Sequence, residues 1–204
     1  DSIISLEILI NSSKKKSRLP WALAEYDKLQ DLDWHSQPGV EAQISALADD
    51  IAYNTHDVDD GLRAGLFTVE DLIEQPLVGP IILAVYQKFP NLEEGRLIHE
   101  TTRRMIDQMV GDLLQETQKR LTKFQPKSVE SVRELGGPVV ALSNEMMRIN
   151  ISLKKFLFER MYRHPRVNRM TNKAAKVIKD LFKLFQAENE LMPEEWLSKV
   201  KGMD

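Results

Sequence analysis

Apolar residues recur at helical spacing along most of the chain. In the stretch after Pro38 they stand three, four or seven residues apart, at Val40, Ile44, Leu47, Ile51 and Val58. That spacing places them on one side of a helix that we predict to end near Gly61. No segment of useful length alternates apolar and polar residues, so we predict an all-α fold.

The remaining helix boundaries are predicted from capping and breaking residues. Thr68 begins TVEDLI, in which Asp71 stands at the third helical position and predicts a capping box. Asn91 is predicted to cap a long helix that reaches Leu121. Pro20 is predicted to open a helix, and GGP at 136–138 a loop. Later helices are predicted at 144–162, 166–187 and 193–201.

The composition is that of a single soluble domain. A chain of 204 residues with 42% apolar content can bury one core of ordinary size. We therefore expect one helical domain over residues 20–204, with residues 1–19 as a mobile or degenerate N-terminal edge. The absence of cysteine excludes disulfides and thiolate metal sites. No apolar run is long enough to span a bilayer, so we expect a cytoplasmic protein without membrane contact.

Charge is distributed unevenly along the chain. Between Arg148 and Lys183 eleven basic residues face only Glu159 and Asp180, which gives this stretch a charge of +9 and leaves −12 elsewhere, for a net charge of −3. Between Lys28 and Arg63 there are eight acidic residues and no lysine or arginine. This asymmetry suits an anionic, metal-bound ligand. The alternative is two solvated faces of different sign.

The acidic helix carries an aspartate–tyrosine–aspartate row. Asp49, Tyr53 and Asp57 are one turn apart and lie within about 80° of one another on a helix. His56 shares this face with Asp49 but stands about 10.5 Å from it along the axis, too far for one ion to bind both without strain. The local sequence therefore offers one good carboxylate ligand, and the other ligands must come from elsewhere.

Four segments resemble one family, the HD-domain deoxynucleoside triphosphate triphosphohydrolases, or dGTPase-like proteins. The segments are PWALAEYDKLQDLD, ADDIAYNTHDVDDGLRAGLF, RRMIDQMVGDLLQETQKRL and FLFERMYRHPRV. The resemblance extends over roughly residues 19–200. It implies a multi-helix HD-domain-like enzyme that cleaves a dNTP to a deoxynucleoside and inorganic triphosphate, using Mn²⁺ or Mg²⁺ held by two histidines and two aspartates.

The resemblance also assigns expected roles to single residues. Asp49 matches the last of the four metal ligands. Tyr53 matches a tyrosine that packs on the sugar and excludes a 2′-hydroxyl, and Asp57 an aspartate that bonds the 3′-hydroxyl. Tyr162 matches a second sugar-contacting tyrosine. Lys154 matches a basic phosphate contact, although the intervening family histidine is Phe158 here.

Three neighbours of Tyr162 are further candidates for phosphate contact: Arg160, Arg163 and His164. Each could equally be a surface charge. No catalytic residue is assigned.

The chain departs from the family before the acidic helix. Only His35 precedes His56, so the upstream histidine and His-Asp pair that supply three metal ligands are not found. We therefore expect this chain to correspond to the C-terminal half of a longer enzyme and to be inactive by itself. Expected partners are a dNTP, further copies in a homo-oligomer, and an HD-bearing half or an intact homologue.

Two other functions are alternatives to the hypothesis that the chain is part of an enzyme. The first is a non-catalytic helical module of the same family that serves oligomerisation or regulation. The second is nucleic-acid binding through residues 148–183, with steeply salt-dependent affinity as its signature. The basic residues there are spread around the helices with few aromatic residues between them. We therefore do not expect nucleic acid as a partner.

Overall fold

The computed structural model describes residues 20–33 and 35–200, which form helices, turns and loops without a strand. The all-α prediction is confirmed. Residues 1–19, the predicted N-terminal edge, lie outside the described part of the chain. The α-helices are α1 (Trp21–Asp27), α2 (Val40–Arg63), α3 (Val69–Ile73), α4 (Val78–Lys88), α5 (Glu94–Phe124), α6 (Val129–Arg133), α7 (Asn144–Leu157), α8 (Pro165–Ala187) and α9 (Glu194–Val200). A π-helical turn, Phe158–Tyr162, follows α7, and a 3-10 turn, Asn189–Leu191, follows α8.

The predicted helix cap is confirmed at α3 and is wrong at α5. The Thr68 hydroxyl accepts a hydrogen bond from the Asp71 N–H at 3.3 Å, and Asp71 Oδ2 accepts one from the Thr68 N–H at 2.9 Å. This is the predicted capping box. Asn91 does not cap α5, because the chain still turns there, with the Leu92 N–H bonded to the Phe89 carbonyl at 3.2 Å. Helical bonding begins at the Glu93 carbonyl.

The chain forms two compact units, one up to Lys155 and one from Phe156 onwards. In the first, α2 and α4 both pack against α5, and α3 packs against α4. Side chains in its core include Ile51 and Val58 of α2 and Met105 and Met109 of α5, each at most 2% exposed. Of the apolar stripe predicted for α2, Ile51 and Val58 therefore lie in the core of this unit, whereas Ile44 is 43% exposed.

The segment before α7 is held by polar side chains from α2 and α5. Gln43 Oε1 accepts hydrogen bonds from the N–H groups of Val139 and Val140, both at 3.0 Å. Asp112 Oδ2 accepts one from the Ser143 N–H at 2.8 Å. Because a buried N–H without a partner is costly, these contacts fix where α7 begins.

The second unit consists of the π-helical turn, α8, the 3-10 turn and α9. Within it, α8 contacts both turns, and the 3-10 turn contacts α9. No residue of α8 is buried. Across the residues described in both units, no helix is long and apolar enough to cross a membrane.

Candidate functional site

The predicted row on α2 turns gradually from solvent toward the packed side of the helix. Asp49 is exposed and Tyr53 is 48% exposed, but Asp57 is only 8% exposed. The cause is helical geometry, since each step of four residues rotates the side chain by about 40°. The buried side of α2 includes Asn54 and Val58, and Asp57 lies at its edge. The spacing alone suggests that the whole row faces solvent. In the structure Asp49 and Tyr53 are exposed, whereas Asp57 is nearly buried.

Beside this row, four polar residues join α2 to α7; we call them the α2–α7 network: Asp50, Asn54, Asn150 and Lys154. The Lys154 ammonium forms an ion pair with Asp50 Oδ1. The Asn150 amide donates to Asp50 Oδ2 at 3.1 Å. The Asn54 amide donates to Asn150 Oδ1 at 3.0 Å and, at 3.5 Å, to Asp50 Oδ2. One carboxylate thus accepts three hydrogen bonds across two helices.

The two helices supply this network in matched pairs. Asp50 and Asn54 are one turn apart on α2, and Asn150 and Lys154 are one turn apart on α7. Both asparagines are buried, with 3% and 6% exposure. Side-chain exposure is 11% for Lys154 and 26% for Asp50. Buried amides and buried charges are costly without hydrogen-bond partners. In this network each of the four side chains is a partner for at least one of the others.

The network determines where the predicted phosphate contact lies. The Lys154 ammonium is fixed against α2 at the residue that follows Asp49. The sequence predicted a contact role for Lys154 but not for Asp50, Asn54 or Asn150. The signal that could have identified them is a pair of polar residues at a spacing of four on the packed side of each helix.

The other predicted contacts lie in the second unit, in and after the π-helical turn. Tyr162 is half-buried and Arg160 is exposed. The Arg163 guanidinium stands 4.9 Å from the centroid of the Phe158 ring, a cation–π contact. His164 is the N-cap of α8, and its Nδ1 accepts a hydrogen bond from the Arg166 N–H at 3.2 Å. Arg163 and His164 therefore have structural contacts of their own.

Comparison with known proteins identifies the family. Residues 140–204 match the family model of the phosphohydrolase-associated domain. Over 194 residues the chain is 47% identical to a deoxyguanosinetriphosphate triphosphohydrolase-like protein of Parvibaculum lavamentivorans, an alignment that covers 95% of this chain and 49% of that protein. A protein of the same name from Azorhizobium caulinodans is 46% identical over 178 residues, which are 87% of this chain and 45% of that protein.

The chain belongs to the deoxyguanosinetriphosphate triphosphohydrolase-like family. A third relative of this name, from Caulobacter vibrioides, is 44% identical over 194 residues, covering 94% of this chain and 49% of its own length. The chain thus spans about half the length of the curated relatives it matches. The matched domain includes α7, the π-helical turn and α8, and so contains Lys154 and Tyr162.

The described part of this triphosphohydrolase-like chain does not by itself fit a divalent ion. Among residues 20–33 and 35–200, no three histidine, cysteine, aspartate or glutamate side chains are close enough to hold a metal. Asp49 stands exposed on α2, and the nearby Asp50 carboxylate is occupied by Lys154 and the two asparagines. A protein-bound catalytic metal usually has three or more protein ligands, so Asp49 can at most be one member of a larger set.

Proposed function

We propose that this chain forms part of a deoxynucleoside triphosphate triphosphohydrolase, which cleaves a dNTP to a deoxynucleoside and inorganic triphosphate. Its part is the wall of the nucleotide site formed by Asp49 and Tyr53 on α2, with Lys154 beside them. One observation carries this proposal: Lys154, 104 residues away in sequence, is anchored to Asp50, the residue next to Asp49. The family membership supplies the reaction class.

The side chains on this wall suit the parts of a nucleotide. Tyr53 presents an exposed aromatic ring, which can pack on a deoxyribose and leave no room for a 2′-hydroxyl. Asp57, at the edge of the packed side, can accept a hydrogen bond from the 3′-hydroxyl. Lys154 would supply a cation for a triphosphate oxygen, and the Asp50 carboxylate, with which it forms an ion pair, would balance its charge when no phosphate is bound.

The residues of the second unit are proposed as further contacts. Tyr162 would contact the sugar, and Arg160, Arg163 and His164 are candidates for the phosphates. Arg163 makes a cation–π contact and His164 caps α8, so phosphate binding would have to be compatible with these contacts.

We further propose that Asp49 supplies one ligand of a divalent ion, Mn²⁺ or Mg²⁺, whose other ligands come from outside the described residues. The chain alone is then expected to lack triphosphohydrolase activity. Such an ion, when bound, would reduce the repulsion between the triphosphate and the acidic face of α2. The contribution of the described residues would be to orient the sugar and the phosphates.

The experiment is a chimera in which the half of the Parvibaculum lavamentivorans relative that this chain does not match is joined to residues 20–204 of this chain. Release of inorganic triphosphate from dGTP with Mn²⁺ is measured for the chimera, for the intact relative and for this chain alone. We expect triphosphate and deoxyguanosine in equal amounts from the first two and none from the third. A folded chimera that makes no triphosphate while the relative does, or turnover by this chain alone, would contradict the proposal.

A further inference from the structure

The α2–α7 network interrupts two apolar stripes. The side of α7 that carries Asn150 and Lys154 also carries two leucines that are at most 1% exposed, Leu153 and Leu157. These positions are three, four and seven residues apart, so they lie on one side of the helix. On α2, Asn54 lies in the same way among buried apolar residues. Apolar side chains would suit both stripes, so the two asparagines need another explanation.

Asn150 is the central residue of this network. Its amide nitrogen donates to Asp50 Oδ2 at 3.1 Å, and its Oδ1 accepts a hydrogen bond from the Asn54 amide at 3.0 Å. Both ends of the Asn150 amide therefore have a partner, which fixes the orientation of the group. Since Asn150 is only 6% exposed, water cannot readily replace either partner.

The hydrogen bond from Asn150 orients the carboxylate of Asp50. Asp50 Oδ2 is held by Asn150 and, at 3.5 Å, by Asn54. The other oxygen, Oδ1, pairs with the Lys154 ammonium. Without such a restraint the terminal torsion of an aspartate is broad, so its two oxygens have no fixed directions. The contacts therefore lead from Asn150 through Asp50 to Lys154.

We propose that Asn150 is a positioning residue for the nucleotide site. By fixing the Asp50 carboxylate it determines the position of the Lys154 ammonium before a triphosphate binds. The inference rests on the proposed function, in which Lys154 contacts a triphosphate oxygen, and Asn150 itself contacts no phosphate. Its effect is on substrate binding, because an ammonium that is already held in place loses less conformational freedom when the triphosphate arrives.

A role in stability alone does not account for the network. Replacing a buried ionic network by apolar residues of similar size is often neutral or stabilising. A buried network whose members are all satisfied instead rigidifies the side chains and specifies one arrangement of them. Here that arrangement fixes the ammonium of Lys154 at Asp50, the residue next to Asp49.

The first measurement concerns the full 204-residue chain and does not depend on the proposed function. Asn150→Leu keeps a branched side chain but removes both the donor and the acceptor. We expect acetic anhydride to acylate Lys154 several-fold faster in this variant, as followed by mass spectrometry of its peptides. The exposed Lys119 on α5 is the internal reference and should react at an unchanged rate. An unchanged rate at Lys154 would overturn the proposal.

The second measurement is the steady-state kinetics of dGTP cleavage by the chimera. Asn150→Leu should raise KM about fivefold, as expected for the loss of one hydrogen bond. The change in kcat should be smaller, because the contact of Lys154 is already made in the bound substrate. Asn150→Ser, a milder change that retains a donor, should raise KM less. Gly79→Ala in α4 is the stability control, since a Cβ there meets backbone, and should leave KM unchanged.

Lys154→Met in the chimera separates the failure of this inference from the failure of the proposed function. If Lys154→Met raises KM and Asn150→Leu does not, Lys154 binds the substrate without being positioned by Asn150, and only this inference is overturned. If Lys154→Met leaves KM unchanged, the phosphate contact itself is wrong and both fail. An equal rise of KM in Gly79→Ala and Asn150→Leu would assign the effect to stability and also overturn the inference.

Discussion

At the scale of single residues, the position of Lys154 depends on Asp50. The Asp50 carboxylate is the shared acceptor for Lys154, Asn150 and Asn54, so it holds an ammonium and two amides in place across α2 and α7. Because Lys154 is only 11% exposed, its charge could not be well solvated without this partner. The position of Lys154, which is proposed to bind phosphate, is thus determined by Asp50, which is not expected to contact the nucleotide.

We expect Asp50→Ala to destabilise the chain by about 1–3 kcal/mol, since it leaves a nearly buried ammonium and a buried amide without their acceptor. Urea denaturation followed by circular dichroism measures this. The matched control is Asp59→Ala, which also removes an aspartate from α2. Its partner Arg63 is 52% exposed and can be solvated. Equal losses for the two variants would show that the network does not hold Lys154.

The sequence predicted single residues unevenly. Lys154 was found because the family resemblance marks it, and the row on α2 because helical spacing places its three residues on one face. Asp50 was passed over because a second aspartate in an acidic run looks like another solvated charge. Only the tertiary contact with α7, which joins residues 100 or more positions apart, distinguishes it from Asp49.

At the scale of secondary structure elements, close approach between helices depends on small residues. Gly79, in the first turn of α4, is buried, and a Cβ there would overlap the backbone carbonyl of Ile73 at the end of α3. Since that obstacle is backbone rather than a flexible side chain, it cannot move aside easily. The packing of α3 against α4 therefore requires glycine at this position.

Gly79→Ala is expected to cost about 1–3 kcal/mol, as overpacking against backbone does. The control is Gly111→Ala in the middle of α5, where a Cβ meets nothing within 4 Å. That variant should gain about 0.5–1 kcal/mol, because alanine favours the helix. Thermal unfolding of the two variants should thus shift in opposite directions, and a Gly79→Ala variant as stable as wild type would refute the close approach.

The ends of helices could be predicted from the sequence where residues close in the chain determine them. The apolar spacing located α2 to within two residues of its end, and the capping box located the start of α3. The helix predicted over 144–162 is instead α7 followed by a π-helical turn, in which the Arg163 N–H bonds the Phe158 carbonyl at 3.0 Å. Such widening depends on packing around the turn, for which the sequence has no local signal.

At the scale of the whole molecule, the uneven charge has a local explanation in each unit. In the first, acidic α2 receives the ammonium of Lys154. In the second, no residue of α8 is buried, so its basic side chains are solvated. The chain spans about half the length of its curated relatives, so the nucleotide site we propose is completed by residues beyond those described.

The central claim is that Asp49 belongs to the nucleotide site of a triphosphohydrolase. The measurement that tests it most directly is triphosphate release from dGTP by the chimera carrying Asp49→Asn, compared with Asp60→Asn. Asp60 is an exposed aspartate on the same helix, about 16 Å further along its axis than Asp49, so the pair is matched in chemistry and charge. We predict that Asp49→Asn abolishes release and Asp60→Asn leaves it unchanged. Equal activity of the two folded variants would contradict the assignment.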